Sequence, residues 1–257
     1  MVAVDRWALK RTHELQQEVM QAYRSYQFHL IYQKVHNFCS VDMGGFYLDV
    51  LKDRLYTTGA ESAPRRSAQT AMYWIIEALT RWIAPILSFT AEEIWRYMPG
   101  ERDESVFLQT WVELPQGADA KSELDWDAVF AVRSAVSREL EKLRNEGAIG
   151  GPLDAEVDLY CAPELQRTLA TFGDELRFAL ITSAARVHCA DTRPENAVAA
   201  EADDQNAAWI VVRASEHGKC VRCWHKRPEV GTHAEHPELC GRCVTNVAGP
   251  GETRKYS

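Results

Sequence analysis

Two Cys-x-x-Cys pairs, Cys220 with Cys223 and Cys240 with Cys243, are separated by sixteen residues in the sequence. A Cys-x-x-Cys turn presents two sulfurs from one tight bend, and two such turns complete a tetrahedron about a single Zn²⁺. Four thiolates leave no open position for water. The ion expected here is therefore structural, holding together a segment too short to bury a core of its own. Gly241 is expected to relax the second turn where the backbone must bend sharply. A redox dithiol is the competing reading. It calls for one pair at a helix start in a βαβ setting, and here there are two pairs without that setting. His225, His233 and His236 read as solvated loop histidines rather than spare ligands. Cys39, Cys161 and Cys189 stand singly in apolar surroundings and read as core residues without chemistry.

Seven cysteines is an odd number, and the start, "MVAVDRWALKRTHELQQ", has no apolar h-region of a secretory signal. That combination points to a reducing cytoplasm with free thiols or metal ligands, not to a disulfide framework. No apolar run reaches the length of a membrane span, and nothing demands more than a monomer. The net charge of −8 is unevenly spread: residues 1–115 carry −2, residues 116–218 carry −9 and residues 219–257 carry +3. Local fields screened over about 8–10 Å decide partners, so the overall sign excludes little. Four thiolates on one Zn²⁺ leave −2, which lowers the tail to about +1. The tail is a contact surface, not a strong electrostatic magnet.

Residues 1–99 read as about five helices. Trp7, Val19, Tyr23 and Tyr26 open one amphipathic series, and Phe28, Ile31, Tyr32, Val35 and Phe38 form a second. "MGGFYLDVLKDRLY" is a third on length and context. The clearest is "RRSAQTAMYWIIEALTRWI", with apolar residues at three- and four-residue spacing up to Pro85. Thr90 with Glu93 has the pattern of a capping box for a fifth. Residues 105–115 read as an extended linker. Asp125 is expected to cap a helix that Gly147 stops. Strands follow at "AEVDLYC", "SAARVHC" and "WIVVRAS", with helix at residues 163–180 and a loose acidic loop at 191–208. The expected fold is mainly α. It comprises a helical bundle (1–115), a small α+β junction unit (116–215) and a four-cysteine zinc ribbon (216–257).

The tail displays Arg222, Trp224, Lys226, Arg227 and Arg242, and "GETRKYS" adds Arg254 and Lys255. Basic groups beside aromatic faces suit an RNA backbone and unstacked bases. For Trp224, packing over the zinc loop is the competing reading. Pro64 starts the fourth helix, which places Arg65 and Arg66 in its first turn, against the helix dipole by about 0.3–1 kcal/mol each. A phosphate site explains that conflict, and so does pairing with Asp49 or Asp53.

Together these stretches resemble the C-terminal part of bacterial isoleucine–tRNA ligases, class I aminoacyl-tRNA synthetases. "FYLDVLKDRLYTTGAESAPRRSAQTAMYWIIEALTRWIAPILSFTAEEIW" is similar to that family's anticodon-binding helical bundle, and "CVRCWH…CGRCVTNVAGPGE" to its zinc module. The family's ATP-binding signatures, His-Ile-Gly-His and Lys-Met-Ser-Lys-Ser, and its editing domain are missing. The resemblance therefore implies a piece of a longer enzyme, with the rest of the synthetase as a partner in cis and no catalytic residue in this segment. It implies one structural zinc and an isoleucine tRNA gripped at its anticodon stem-loop. The bundle would offer Arg65, Arg66, Arg81 and Trp82, and the tail Arg222, Trp224, Lys226, Arg227, Arg242, Arg254 and Lys255. A free-standing RNA-binding homologue and a zinc-ribbon module that docks proteins are the alternatives. The acidic middle region suits the latter.

Overall fold

The computed structural model describes residues 1–115, 124–190, 192–200 and 208–257. Part of the acidic loop expected at 191–208 thus lies outside the described residues. The chain divides into two compact units: the described parts of Met1–Leu51 with Arg66–Ser122, and of Lys52–Arg65 with Glu123–Ser257.

The first unit is helical. Helices α1 (Ala3–Arg24) and α2 (Phe28–Asn37) are followed by a π-helical stretch, Phe38–Tyr47, that runs on into α3 (Leu48–Thr57), of which the part from Lys52 onward belongs to the second unit. The expected third helix therefore starts with a wider i→i+5 winding. Gly44 lies within it, and a Cβ there would stand 3.1 Å from the Cys39 carbonyl oxygen, a separation that backbone cannot easily relieve. Tyr26, expected on the apolar stripe, instead takes φ 57° beyond the end of α1 and is exposed. Next come α4 (Ala63–Ile83) and α5 (Ser88–Tyr97). The Thr90–Glu93 capping box does not form, because α5 begins two residues earlier with Leu87 at its N-cap. The 105–115 stretch carries no helix or strand except for one 3₁₀ turn, Val106–Leu108, flanked by extended backbone at Ser105 and Gln109.

Apolar burial drives this packing: Val4, Leu15, Val19, Phe38 and Trp82 are fully shielded. Polar groups enclosed with them are satisfied. The Trp82 indole N–H donates to Gln16 Oε1 (3.0 Å), and Asp5 accepts from the hydroxyls of Tyr47 and Ser67. A second cluster gathers Trp95, Met98, Ala91 and Val106. Arg81 and Arg102 lie over the Trp95 ring at 4.9 and 4.5 Å and share Glu77 between them.

The second unit holds a four-stranded mixed sheet in the order β2-β1-β4-β3, from β1 (Ala155–Cys161), β2 (Ala184–Cys189), β3 (Val198–Ala199) and β4 (Ala208–Ala214). β1 runs parallel to β2 and antiparallel to β4. The parallel pair needs a crossover, which α7 (Pro163–Ala170), a 3₁₀ turn and α8 (Leu176–Leu180) supply. Helix α6 (Trp126–Asn145) is capped by Asp125, whose carboxylate accepts from the Ala128 N–H at 3.1 Å. Gly147 takes φ 74° just past its end, as a helix stop requires. Val129, Val132, Val136 and Leu140 of α6, with Val157, Leu159 and Ile210 of the sheet, are buried. The alternate β1 residues, Glu156 and Asp158, are also buried, beneath Arg186 and Arg213. Cys161 is buried, but Cys39 and Cys189 are exposed rather than in the core. None of the helices, among the described residues, is long and apolar enough to cross a membrane.

Candidate metal centre and nucleic-acid interface

The four cysteine sulfurs converge to within 4.8 Å of one another, all four residues buried. The Sγ atoms of Cys223 and Cys240 are 3.7 Å apart. A tetrahedral zinc with arms of about 2.3 Å has sulfur–sulfur edges of about 3.8 Å, so the spacing fits this ion. Hydrogen bonds from Cys240 and Cys243 hold the Cys223 thiol far below its ordinary range. The same bonds with Cys223 push Cys240 up to about 11, and Cys243 is raised as well. Cys240 and Cys243 thus resist ionisation until a cation neutralises the cluster, which is what a divalent metal supplies.

The first knuckle is closed by the Trp224 N–H donating to the Cys220 carbonyl at 2.9 Å. Trp224 itself takes φ 65°, a left-handed conformation that costs a non-glycine residue about 1–2 kcal/mol. The special backbone position was expected at Gly241. That residue instead starts α9 (Gly241–Ala248), and a Cβ there would meet His233 Nε2 at 3.4 Å. His225, expected to be solvated, is buried. Its Nδ1 lies 3.1 Å from the Cys223 carbonyl, and its ring stands edge-on to Phe178.

Most of the basic residues nominated from sequence are occupied within the second unit. Arg242 makes a two-pronged pair with Asp53, at 2.7 Å on each oxygen, and also reaches Glu252 at 3.1 Å. Arg254 joins Asp53 at 2.5 Å and Glu252 at 2.9 Å. Burial alone raises the Asp53 carboxyl, but the charges of Arg242 and Arg254 outweigh it and hold the group below its ordinary value. Arg222 donates to the Thr57 carbonyl and lies 3.9 Å from Cys243 Sγ. Lys226 reaches the Ser215 carbonyl at 3.1 Å, and Arg227 reaches the Ser183 carbonyl at 3.2 Å. Arg65 donates to the Leu55 carbonyl at 2.5 Å. Asp53, one of the two partners expected for Arg65 and Arg66, is thus taken by the tail arginines.

Trp82 and Arg81 are displaced from any expected RNA surface. The first is enclosed in the helical core, and the second is held by Glu77. Apolar burial of an indole outweighs its use as an exposed stacking face. Arg254 and Arg242 are enclosed for a different reason, as the charges that neutralise Asp53 and Glu252. Arg66, Trp224 and Lys255 are exposed, and Trp224, at 63%, leaves most of its side chain open to solvent, against the competing reading that it packs over the zinc loop. Sequence reasoning missed Glu175, whose carboxylate accepts from three successive backbone N–H groups at Lys255, Tyr256 and Ser257. No local pattern marks such a long-range partner.

Comparison with known proteins gives two family matches. Residues 5–159 match the anticodon-binding domain of tRNA ligase, and residues 218–246 match a zinc finger found in FPG and IleRS. The chain belongs to the anticodon-binding domain family of tRNA ligases. Over 260 aligned residues it is 57% identical to an isoleucine–tRNA ligase of Thioalkalivibrio sulfidiphilus, covering 100% of this chain and 28% of that protein. It is 59% identical to the corresponding protein of Halorhodospira halophila, covering 99% of this chain and 27% of the relative. The chain thus spans little more than a quarter of the length of these relatives. The four-sulfur cluster falls inside the zinc-finger match, and its residues fit one zinc ion.

Proposed function

We propose that this chain is the tRNA-recognition segment of an isoleucine–tRNA ligase. The whole enzyme joins isoleucine to its tRNA with ATP in the cytoplasm, and this segment grips the anticodon stem-loop as a single copy. One observation carries the reading: the anticodon-binding match and a four-sulfur cluster inside the zinc-finger match occur in the same chain. The working partition is a bundle at 1–115, a junction unit at 116–215 and a zinc tail at 216–257. Zinc acts by positioning, since four cysteines complete its shell.

The direct contacts proposed are Arg65 and Arg66 at the start of α4, and Trp224, Lys226, Arg227 and Lys255 on the tail. Arg222, Arg242 and Arg254 serve indirectly, because their bonds to Thr57 and Asp53 fix the finger. Arg81 and Trp82 support the bundle from within. The remaining length of the ligase is the partner in cis. Exposed Ile86, Leu87, Phe89, Phe107 and Leu108 offer it apolar surface.

The test is affinity of the zinc-loaded chain for an isoleucine tRNA transcript across a salt series, beside the same transcript with its anticodon replaced. The expected result is steep weakening with salt and weaker binding of the altered transcript. Arg65→Ala with Arg66→Ala is expected to reduce the salt slope by about one for each phosphate no longer held. Equal, salt-independent binding of both transcripts overturns the reading.

A further inference from the structure

Cys161 and Cys189 end β1 and β2, and the parallel ladder between these strands sets them directly opposite one another. The Ala190 N–H donates to the Cys161 carbonyl at 3.0 Å, so the ladder still holds at this pair. Opposed residues of neighbouring strands project from the same face of a sheet, because side chains alternate with a period of two. Neighbouring strands lie about 4.8 Å apart, inside the Cα separation of about 4.4–6.8 Å that a disulfide spans. Their Cβ atoms keep nearly that spacing, wider than the roughly 3.8 Å a disulfide prefers. Closing the bond draws the two strand ends together, and a bond made under such strain is readily reduced.

The two thiols stand in unlike surroundings. Cys189 is exposed, on the strand that forms one edge of the sheet. Cys161 is fully buried. Burial pushes its thiol up to about 12, and the charge of Cys189 acts in the same direction, as it does between neighbouring sulfurs. An oxidant in solvent therefore meets Cys189 first. The protected thiol beside it is placed to react second, as a resolving cysteine does. Cys39 is also exposed, but it lies in the first unit, whereas the other six cysteines belong to the second.

We propose that Cys161 and Cys189 are a reversible oxidation site, closing to a disulfide when the chain meets a hydroperoxide. The Cys189 thiolate attacks the terminal oxygen of the hydroperoxide. The O–O bond breaks, the alcohol (water, from hydrogen peroxide) leaves with a proton from solvent, and Cys189 becomes a sulfenic acid. That step removes the Cys189 charge, one of the two influences that keep Cys161 protonated. The Cys161 sulfur then attacks the sulfenic sulfur: the S–S bond forms, the S–O bond breaks, and the hydroxyl leaves as water with the Cys161 proton. Two thiols have lost two electrons, and one hydroperoxide has gained them. A dithiol reductant returns both thiols by exchange. The site is independent of the RNA-binding reading.

The zinc-loaded chain is treated with equimolar hydrogen peroxide, the remaining thiols are alkylated in urea, and unreduced peptides are mapped by mass spectrometry with zinc content measured alongside. The expected product is a peptide pair joined through Cys161 and Cys189, lighter by two hydrogens than its reduced parts, with zinc retained. Dithiothreitol should abolish the joined pair. In Cys161→Ala the sulfenic acid at Cys189 should persist and be trapped by dimedone. In Cys189→Ser, an exchange at an exposed position that leaves the core intact, Cys161 should stay reduced. Oxidation of Cys189 in the unaltered chain while Cys161 is still alkylated overturns the site. So does coupling of Cys161 to one of the zinc-binding cysteines, or full alkylation of both Cys161 and Cys189.

Discussion

Asp53 accepts from both Arg242 and Arg254, whose side chains are 11% and 1% exposed. Replacing it by Asn leaves two enclosed guanidinium groups with Glu252 as their shared acid. Breaking one partner of a buried pair costs about 3–5 kcal/mol, so Asp53→Asn is expected to lower the unfolding free energy of the second unit, read from its urea midpoint, by an amount near the bottom of that range. An unchanged midpoint would mean that the pair is solvated and inert. Trp224 poses a different balance. Its left-handed backbone disfavours any side chain, yet the indole is displayed to solvent. Trp224→Gly should therefore raise stability by about 1 kcal/mol through relief at the backbone, while weakening RNA binding by about 1–3 kcal/mol through a lost stacking face. Opposite signs in a melting curve and a binding curve are the signature. A lone aromatic after a Cys-x-x-Cys was legible as a candidate contact. Its left-handed φ was not, because strain at a knuckle belongs to the closed geometry and not to residue type. Asp53 was nominated for the wrong arginines, because proximity in sequence was the one guide available and its partners are some 190 residues away.

The zinc finger is an element whose core consists of the four cysteines, with Val230 and Leu239 packed against them. So little apolar area cannot offset the cost of ordering its chain, about 1–2 kcal/mol per residue for the backbone alone. Metal binding must supply the difference. Cys240→Ser, or chelation of the native chain, is expected to abolish ordered signals across residues 218–246 while far-UV circular dichroism keeps most of its helical amplitude. The helix lost is α9, eight residues long, against twenty-one in α4. A large collapse of helical signal would show that the metal supports more than its own element. This element was readable in advance because metal ligation needs named atoms at short spacing. The strands "AEVDLYC" and "SAARVHC" were readable from their apolar residues, within a residue of their ends. The π-helical turn at Phe38–Tyr47 was not. Its apolar spacing resembles an ordinary helix, and the difference lies in which carbonyl each N–H selects.

At the scale of the molecule, the acid concentrated in the middle of the sequence has a structural destination. Glu156 and Asp158, on alternate positions of β1, are buried beneath Arg186 and Arg213, which bridge to them from the two neighbouring strands. Burial pushes both carboxyls up, but hydrogen bonds from Arg186, with Ser215 at Glu156 and His188 at Asp158, outweigh it, and both titrate below their ordinary values of 4.5 and 3.8. Asp53 and Asp174 are lowered in the same sense. A carboxylate with a depressed folded value stabilises the fold fully above its unfolded value, and that contribution fades as protons bind the unfolded chain first. Stability of the second unit should therefore be level from about pH 7 to pH 5 and fall progressively below about 4.5. Zinc-free Cys240→Ser protein, whose finger is disordered, isolates the share of Glu156 and Asp158 in this loss from acid release of the metal. Arg186→Met is the decisive comparison. It removes the strongest donor to both acids, so their folded values should rise towards the unfolded ones and the acid slope of the urea midpoint should flatten. An unaltered slope in that variant would assign acid sensitivity to Asp53 and Asp174, and leave the sheet's ion pairs as bystanders to stability.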